Sequence, residues 1–110
     1  MNECIFCKII NDKERAFLYE NDVCVVFESN APIATHHLLI VPKQHVVSFI
    51  ELDHKILGLT EMAQEVIKDK KLEGGYILVF NGGKYQEIQH VHWHLLAGNL
   101  EKNDDILSQI

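Results

Sequence analysis

The sequence predicts an α+β fold: a five-stranded, mainly antiparallel sheet with one main helix and a short N-terminal helix. Five short apolar runs bounded by turn residues are typical of strands, and one longer stretch carries apolar residues at helical spacing. The strand runs form two clusters that flank this helix, which is the pattern of the α+β class. The chain has 110 residues, enough for one domain and too few for two, so we expect a single domain over residues 1–110.

The N-terminal half predicts a short apolar segment followed by three strands. The opening segment Cys4–Ile10 fits either a short helix or an irregular packed segment. The strands are expected at Ala16–Glu20, Val23–Glu28 and His37–Val41. Asn21-Asp22 supplies a hairpin turn, and the second strand is apolar on both faces, so we expect it to be central and covered. Pro42 cannot donate to a β-ladder and ends the third strand.

The C-terminal half predicts the main helix and two further strands. The helix is expected at about Asp53–Lys70, with Ser48 or Asp53 as cap and Gly74-Gly75 as stop. The strands are expected at Tyr76–Phe80 and Gln89–Leu96. The last residues, Leu100 to Ile110, form a polar tail in which Ile106, Leu107 and Ile110 are candidate docking points.

Composition excludes several classes of partner. A net charge of −6 and a single arginine, Arg15, argue against nucleic acid, since phosphate backbones bind to basic surfaces. The N-terminus lacks the regions of a signal peptide, and no apolar run approaches the ~20 residues of a membrane span. We therefore expect a cytoplasmic protein with no membrane partner and reduced thiols. The odd count of three cysteines argues against a disulfide framework, and the pair Cys4-x-x-Cys7 alone is a weak zinc signal.

The most informative stretch is Gln89–Leu96, where three histidines recur at every second position. Alternate side chains of a strand share a face, so His90, His92 and His94 should lie on one face. The opposite face should carry the core residues Val91, Trp93 and Leu95. Two interpretations stay open from spacing alone. Three histidines can hold zinc with an open position, or a neutral imidazole can attack phosphorus while its neighbours bind the phosphoryl oxygens.

Other residues near this row carry weaker signals. The loop Asn81-Gly82-Gly83 can bring backbone amides close to a ligand, because glycine removes the steric cost. Gln86-Glu87 supply an amide and a carboxyl just before the histidines. Only one of His36 and His37 can face the row, because neighbours on a strand point to opposite faces.

The segment His90–Leu96 resembles the signature of the histidine triad (HIT) family, His-x-His-x-His with apolar spacers. Cys4–Ile10 is similar to the opening of that family, Thr35–His45 to its second block, and Gln86–His90 to its approach to the triad. The resemblance covers nearly the whole chain and is strongest to the nucleoside phosphoramidase branch, the histidine triad nucleotide-binding proteins. It implies a HIT-like fold and a homodimer.

This resemblance implies an enzyme that hydrolyses a purine nucleoside phosphoramidate, or a related α-phosphate ester, through a nucleotidyl-histidine intermediate. His92 would attack the α-phosphorus. His94 and the backbone around Gln86 and Glu87 would hold the phosphoryl oxygens. His37 and His90 would lie beside the nucleophile and fix its tautomer.

The same resemblance implies the remaining substrate contacts. Glu87 falls where the family places a group near the leaving amine, and Asn81 matches a position close to the ribose and phosphate. Phe6 and Phe27 match apolar walls of the base pocket, and the ribose-binding acid of the family falls on Ser29 here.

Some members of the family bind zinc, and the matching positions in this chain are Cys4, Cys7, His45 and His90. Such a zinc ion would be structural, and the hydrolysis would need no cofactor. Alternatives on the same fold are a dinucleoside polyphosphate hydrolase, a nucleotidyl transferase, and a nucleotide- or partner-binding module with vestigial activity. A zinc hydrolase that uses the histidine row as its ligands is a further alternative.

Overall fold

The structure, a computed structural model, describes residues 4–100. The helices are α1 (Ile5–Ile10) and α2 (Lys55–Asp69), with single 3₁₀ turns at Phe49–Glu51 and Gly83–Tyr85. The strands are β1 (Tyr19–Glu20), β2 (Cys24–Glu28), β3 (Ala34–Pro42), β4 (Ile77–Val79) and β5 (Trp93–Leu100). Beyond Leu100, the predicted tail and its docking points Ile106, Leu107 and Ile110 lie outside the described residues. Within residues 4–100, no helix is long and apolar enough to cross a membrane.

The five strands form one antiparallel sheet in the order β1-β2-β3-β5-β4. This sheet, with one main helix and a short N-terminal helix, confirms the predicted α+β fold. β2 is covered on both faces, as its sequence predicts, and only Glu28 is exposed. Cys24 and Val26 face one core, whereas Val25 and Phe27 face the other, which is the alternation expected of a strand.

The larger core lies between the sheet and α2. The helix buries an apolar face consisting of Leu59, Met62, Ala63, Val66 and Ile67. Val91, Trp93 and Leu95 belong to the same cluster, which confirms their predicted core-facing side. Because fully burying one large apolar side chain contributes roughly 1.5–3 kcal/mol, this face anchors the segment that carries the histidines.

The smaller core lies on the opposite face of the sheet, beneath α1. Phe6 is only 4% exposed and packs with Phe27, Leu39 and Val41. The ring of Phe6 meets that of Phe27 edge to face at 5.7 Å. The histidine row shares this face of the sheet, so α1 and the row become neighbours although they are far apart in sequence.

The most consequential difference from the predicted elements is at β5. This strand begins at Trp93, whereas a strand at Gln89–Leu96 was predicted, so only His94 of the row lies in the ladder. The preceding segment is held instead by the loop after β3, because the Val91 N–H donates to the Val46 carbonyl at 2.8 Å. The row is therefore divided between a strand and its irregular approach.

β1 is also shorter than predicted, since it begins at Tyr19 rather than Ala16. The Asn21 turn forms as expected, and the Asn21 Oδ1 accepts from the Val23 and Cys24 N–H groups at 2.8 Å. The Asn21 side chain also donates to the Gly58 carbonyl of α2 at 3.2 Å. The hairpin turn thus joins the sheet to the helix.

At the start of α2 the structure favours the second of the two predicted caps, and at its end the predicted stop is not the one used. Ser48 makes no capping hydrogen bond in its own short turn, whereas the Asp53 carboxylate accepts from the Lys55 N–H at 3.0 Å. At the other end, Lys71 has φ 59°, and the Leu72 N–H donates to the Ile67 carbonyl at 2.8 Å. This is a Schellman motif with lysine at the left-handed position. The helix therefore ends before the predicted Gly74-Gly75 stop.

Candidate active site

The seven site residues that carry histidine or cysteine side chains form two groups that meet at the row. The histidine corner consists of His37, His92 and His94. The cysteine corner consists of Cys4, Cys7, His45 and His90. His90 adjoins both groups, since its backbone contacts His92 and its ring contacts the cysteines.

A chain of hydrogen bonds sets the tautomers of two histidines in the histidine corner. The Ile33 N–H donates to His37 Nδ1 at 3.2 Å, so the neutral His37 ring carries its proton on Nε2. His37 Nε2 then donates to His94 Nδ1 at 2.9 Å. The neutral His94 ring must therefore carry its own proton on Nε2, where it is a donor.

The third ring of this corner has the opposite polarity. His92 Nδ1 lies 2.9 Å from the His90 carbonyl oxygen, which can only accept, so the proton lies on Nδ1. The lone pair is then on Nε2. The His92 ring packs edge to face against Phe6 at 5.0 Å and against His94 at 5.0 Å. One ring thus offers a lone pair where its neighbour offers an N–H group.

Burial keeps all three rings neutral. Desolvation lowers the pKa of His37 and of His92, because a buried imidazolium loses its hydration. For His92, the bond to the His90 carbonyl and the charge of Glu87 oppose this effect in part. Burial, together with the neighbouring His92 and His37, lowers the pKa of His94 to about 4. Neutral rings are the form in which an imidazole is a nucleophile and a neutral donor.

The corner opens into a cavity of about 500 Å³. His37, His92 and His94 line one end, and Phe6 and Phe27 line the wall. The sheet register connects these two regions, since His94 pairs with Leu39 and Leu39 pairs with Phe27. Adjacent strands lie ~4.8 Å apart, so the imidazole and the phenyl ring are separated by roughly 10 Å across the sheet. A cavity of this kind suits an elongated ligand with one polar and one flat apolar end.

Of the residues proposed for substrate binding, four line this cavity and two do not. Phe6, Phe27, Ser29 and Glu87 are in its lining, whereas Asn81 and Gln86 are not. Ser29 is engaged locally, since its hydroxyl accepts from the Ala31 N–H at 3.1 Å.

Gln86 instead braces the loop before the histidine row. Its buried amide donates to the Val47 carbonyl at 2.6 Å and to the Ile88 carbonyl at 2.9 Å. The substrate roles of Gln86 and Asn81 stay predictions.

A second cavity of about 490 Å³ lies beside the cysteine corner and includes Cys4 and His45 in its lining. Ile5, Glu87 and Ile88 line both cavities, so they form the ridge between them. Glu87 therefore lies at the boundary between the two cavities.

The cysteine corner has the chemistry and spacing of a zinc site. Four ligand atoms, from Cys4, Cys7, His45 and His90, all lie within 4.8 Å of one another. Sγ of Cys7 lies 3.2 Å from Nδ1 of His45, and Sγ of Cys4 lies 3.3 Å from Nδ1 of His90. Tetrahedral zinc with Zn–S of ~2.3 Å and Zn–N of ~2.0 Å needs ligand atoms roughly 3.3–3.8 Å apart. The residues therefore fit the ion that the sequence predicts.

The orientation of His90 favours this set over the alternative in which the whole row binds zinc. His90 Nε2 donates to the Pro42 carbonyl at 2.8 Å, so the lone pair on Nδ1 faces the two sulfur atoms. The corresponding Nδ1 atoms of His92 and His94 are already committed to other hydrogen bonds. Burial, reinforced by Cys4, raises the pKa of Cys7 to about 11, so zinc binding would displace a proton from this thiol.

Sequence reasoning missed three contributors to the site. The Ile33 N–H and the Pro42 carbonyl act through the backbone, which no side-chain pattern reveals. Arg15 lines the main cavity, although the sequence marks it only as the single arginine. His37, rather than His36, faces the row, which resolves the alternative left open by their adjacency.

Comparison with known proteins places this arrangement among relatives. Residues 11–100 match the family model described as HIT domain. Adenosine 5'-monophosphoramidase HNT1 of Saccharomyces cerevisiae is 36% identical over 104 residues, which cover 91% of this chain and 65% of that protein.

Solved structures of similar fold include a HIT family hydrolase from Legionella pneumophila Philadelphia 1. It has a TM-score of 0.80 and 31% identity, and the match covers 93% of this chain and 98% of that one. A Zn-bound histidine triad family protein from Mycobacterium smegmatis has a TM-score of 0.76 and 25% identity, with 94% and 78% covered.

Proposed function

Because this chain belongs to the HIT domain family, we propose that it hydrolyses purine nucleoside phosphoramidates, or a related ester at the α-phosphate, through a nucleotidyl-histidine intermediate on His92. The observation that carries the proposal is the opposed polarity of two neighbouring rings. His92 directs a lone pair from Nε2, and His94 has its N–H at Nε2, in one cavity. A relative named as a monophosphoramidase, 36% identical, supports the same reaction.

In the first step, His92 Nε2 attacks the α-phosphorus and the bond to the leaving nitrogen breaks. The His92 ring becomes positively charged as the new P–N bond forms. The His90 carbonyl, 2.9 Å from Nδ1, stabilises this charge because it accepts a hydrogen bond from the Nδ1–H group that the ring retains. Water then attacks the phosphorus and the bond between phosphorus and Nε2 breaks, which returns the lone pair to Nε2. One proton of the water passes to solvent, the nucleoside monophosphate is released and the ring is neutral again.

His94 stabilises the negative charge that develops on the phosphoryl oxygens by donation from Nε2. His37 is a positioning residue in this proposal, since it acts through His94 and not on the substrate. The sequence expectation that His37 and the His90 ring orient the nucleophile is thereby refined. The His90 carbonyl orients His92, and His37 orients His94.

The leaving amine is directed towards the ridge between the two cavities. Glu87 lies there and lines both. The leaving nitrogen takes up one proton from solvent as the P–N bond breaks, so it departs as a neutral amine. The amine takes up a second proton from solvent on this side, and the Glu87 carboxylate stabilises the ammonium group that results. The apolar wall of Phe6 and Phe27 accommodates the base at the other end.

Zinc bound by Cys4, Cys7, His45 and His90 would supply a cross-link between α1 and the approach to β5, and no chemistry at phosphorus. The cross-link would hold the His90 backbone, whose carbonyl orients His92. A homodimer, a cytoplasmic location and a single domain over residues 1–110 stay predictions.

The decisive experiment is capture of the intermediate. Wild-type protein mixed with an adenosine phosphoramidate and quenched rapidly in alkali should carry a nucleotidyl mass on the peptide that contains His92. His92→Ala should carry none and should lose at least ~10³-fold in turnover, as expected for loss of a nucleophile. His54→Ala is a matched control, since the His54 side chain is 85% exposed at the start of α2.

Turnover retained in His92→Ala would exclude the nucleophile assignment. Chelator-sensitive turnover without an adduct would favour a zinc hydrolase instead. A parallel assay with diadenosine polyphosphate distinguishes phosphoramidate hydrolysis from dinucleoside polyphosphate hydrolysis.

A further inference from the structure

Arg15 lies beside the aromatic wall of the cavity that the histidine corner opens into. Its guanidinium carbon is 5.2 Å from the centroid of the Phe27 ring, and both residues are in the cavity lining. Arg15 is the only arginine in the chain. The aromatic wall of the cavity therefore carries one cation that is always charged.

The backbone that precedes Arg15 is held in a compact turn after α1. The Arg15 N–H donates to the Asp12 carbonyl at 3.1 Å, and the Asp12 N–H donates to the Ile9 carbonyl at 3.2 Å. The Glu14 N–H donates to the Asp12 carboxylate at 3.0 Å. These bonds anchor the turn to α1, and the Arg15 side chain extends from it to Phe27.

The guanidinium has donors to offer a ligand. Within residues 4–100, the ion pairs involve Lys43, His54 and Lys55, and no carboxylate lies within ion-pair distance of Arg15. The guanidinium instead lies over the face of the Phe27 ring. Arg15 is exposed, so its N–H donors are hydrated and can exchange water for a ligand while the guanidinium lies over the ring.

The distance across the sheet decides which part of a nucleotide reaches Arg15. The register Phe27–Leu39–His94 separates the aromatic wall from the histidine corner by two strand spacings, roughly 10 Å. A nucleotide with its α-phosphate at His92 and His94 places its base against Phe27. The outer edge of that base then faces Arg15.

We infer that Arg15 selects 6-oxopurine nucleotides, those of guanine and hypoxanthine, over adenine nucleotides. Guanine presents two acceptors, O6 and N7, on one edge, and a guanidinium fork can donate to both. Adenine presents the N6 amino group in place of O6, and two donors cannot pair. The inference rests on the proposed function, because it requires a nucleotide in this cavity.

The test measures binding of the nucleoside monophosphates GMP, IMP and AMP by calorimetry, so it does not depend on turnover. Wild-type protein should bind GMP and IMP about tenfold more tightly than AMP, the lower end of the discrimination expected for a bidentate arginine–guanine contact. Arg15→Gln should reduce GMP and IMP affinity to the AMP level and leave AMP affinity nearly unchanged. Arg15→Lys should retain part of the preference, since lysine keeps the charge and loses the fork.

Lys13→Gln is the matched control, because it removes one cation from the same turn and Lys13 is not in the cavity lining. It should leave the ratio of affinities unchanged. Equal affinities for the three nucleotides in wild-type protein would overturn the inference and leave the proposed function intact. An equal loss for all three in Arg15→Gln would also overturn it. Failure of wild-type protein to bind any of the three would remove the proposed function as well.

Discussion

The histidine corner and the cysteine corner each contain residues of the same histidine row, but His90 and His92 have their lone pairs on different ring nitrogens. His90 donates from Nε2 to Pro42 and directs the Nδ1 lone pair at two sulfur atoms. His92, two positions later, donates from Nδ1 to the His90 carbonyl and leaves its lone pair on Nε2. The backbone acceptor beside each ring, and not the residue type or its spacing, therefore determines which ring nitrogen is a donor and which has the lone pair.

The two corners also differ in how they are supported. His37 and His94 lie on adjacent paired strands, β3 and β5. Cys4 and Cys7 come from the start of α1, and His45 from the loop after β3. Two of the three histidines in the histidine corner therefore lie in the sheet, and His92 directly precedes it, whereas the cysteine corner joins three separate segments that no ladder connects. We expect the cysteine corner to depend on metal far more than the histidine corner does.

The largest effect is expected when zinc is removed from the cysteine corner. Zinc present at 100 to 1,000 times its Kd should stabilise the folded protein by about 3–4 kcal/mol, which raises Tm by ~10 °C or more. Thermal unfolding with zinc and with chelator measures this difference. Cys7→Ser should abolish the response, and elemental analysis should show the zinc content falling with it.

Cys24→Ala is the control for this prediction, because Cys24 is buried in the other core, away from the corner. It should lower the starting stability but preserve the shift caused by zinc. A zinc response that survives in Cys7→Ser would place the ion elsewhere.

The next largest effect is expected when the histidine corner loses the His37 side chain. His37→Ala removes the donor to His94 Nδ1, so His94 can adopt the tautomer that no longer donates from Nε2. Loss of such an orienting partner should lower kcat about 10- to 100-fold and leave zinc affinity unchanged. Steady-state kinetics with an adenosine phosphoramidate and a zinc titration measure the two quantities.

His36→Ala removes the adjacent histidine, which points to the opposite face. It should leave kcat within about twofold of wild type, because surface substitutions away from such contacts have small effects. Equal losses in the two variants would mean that His37 has no specific orienting role.

A smaller effect is expected in the dependence of folding stability on pH. His94 has its pKa lowered to about 4 in the folded protein, whereas an unfolded histidine titrates near ~6.5. Above pH ~6.5 neither state binds the proton, so stability is unaffected. Between pH ~6.5 and about 4 the unfolded state takes up a proton that the folded state refuses, and stability falls by an amount of order 1–2 kcal/mol.

His94→Gln removes this linkage, so its free energy of unfolding should fall less steeply with acid than that of wild type. Urea unfolding of both proteins across this range, with chelator in every sample, isolates the contribution of His94 from that of the zinc ligands. Parallel profiles for the two proteins would contradict the lowered pKa.

The smallest effect lies outside both corners and tests whether they are independent of global stability. Lys71 occupies a left-handed position at φ 59°, where glycine avoids the steric cost of Cβ. Lys71→Gly should stabilise the protein by about 0.5–1 kcal/mol and leave zinc affinity and turnover unchanged. Chemical unfolding measures the gain, and a loss of stability would mean that the lysine side chain contributes more than its backbone conformation costs.

Much of the fold was accessible from local pattern. The alternation along β2 and the spacing of apolar residues in α2 predict their buried faces, since both periods are properties of the local backbone. Pairing with distant segments limited the rest. β5 begins at Trp93 because Val91 bonds to the loop at Val46. Helix α2 ends before Gly74-Gly75 because Lys71, and not a glycine, adopts the left-handed conformation that follows the last turn.

The sequence predicts that the three histidines share one face of an extended segment and that Val91, Trp93 and Leu95 share the other, because side chains of extended backbone alternate between faces. The family resemblance also identified the four candidate zinc ligands. The tertiary structure was needed to assign the protonated nitrogen of each ring and to place Arg15 beside Phe27. The physical reason is that a tautomer follows its hydrogen-bond partners, and the partner of His90 is the carbonyl of Pro42, 48 positions away.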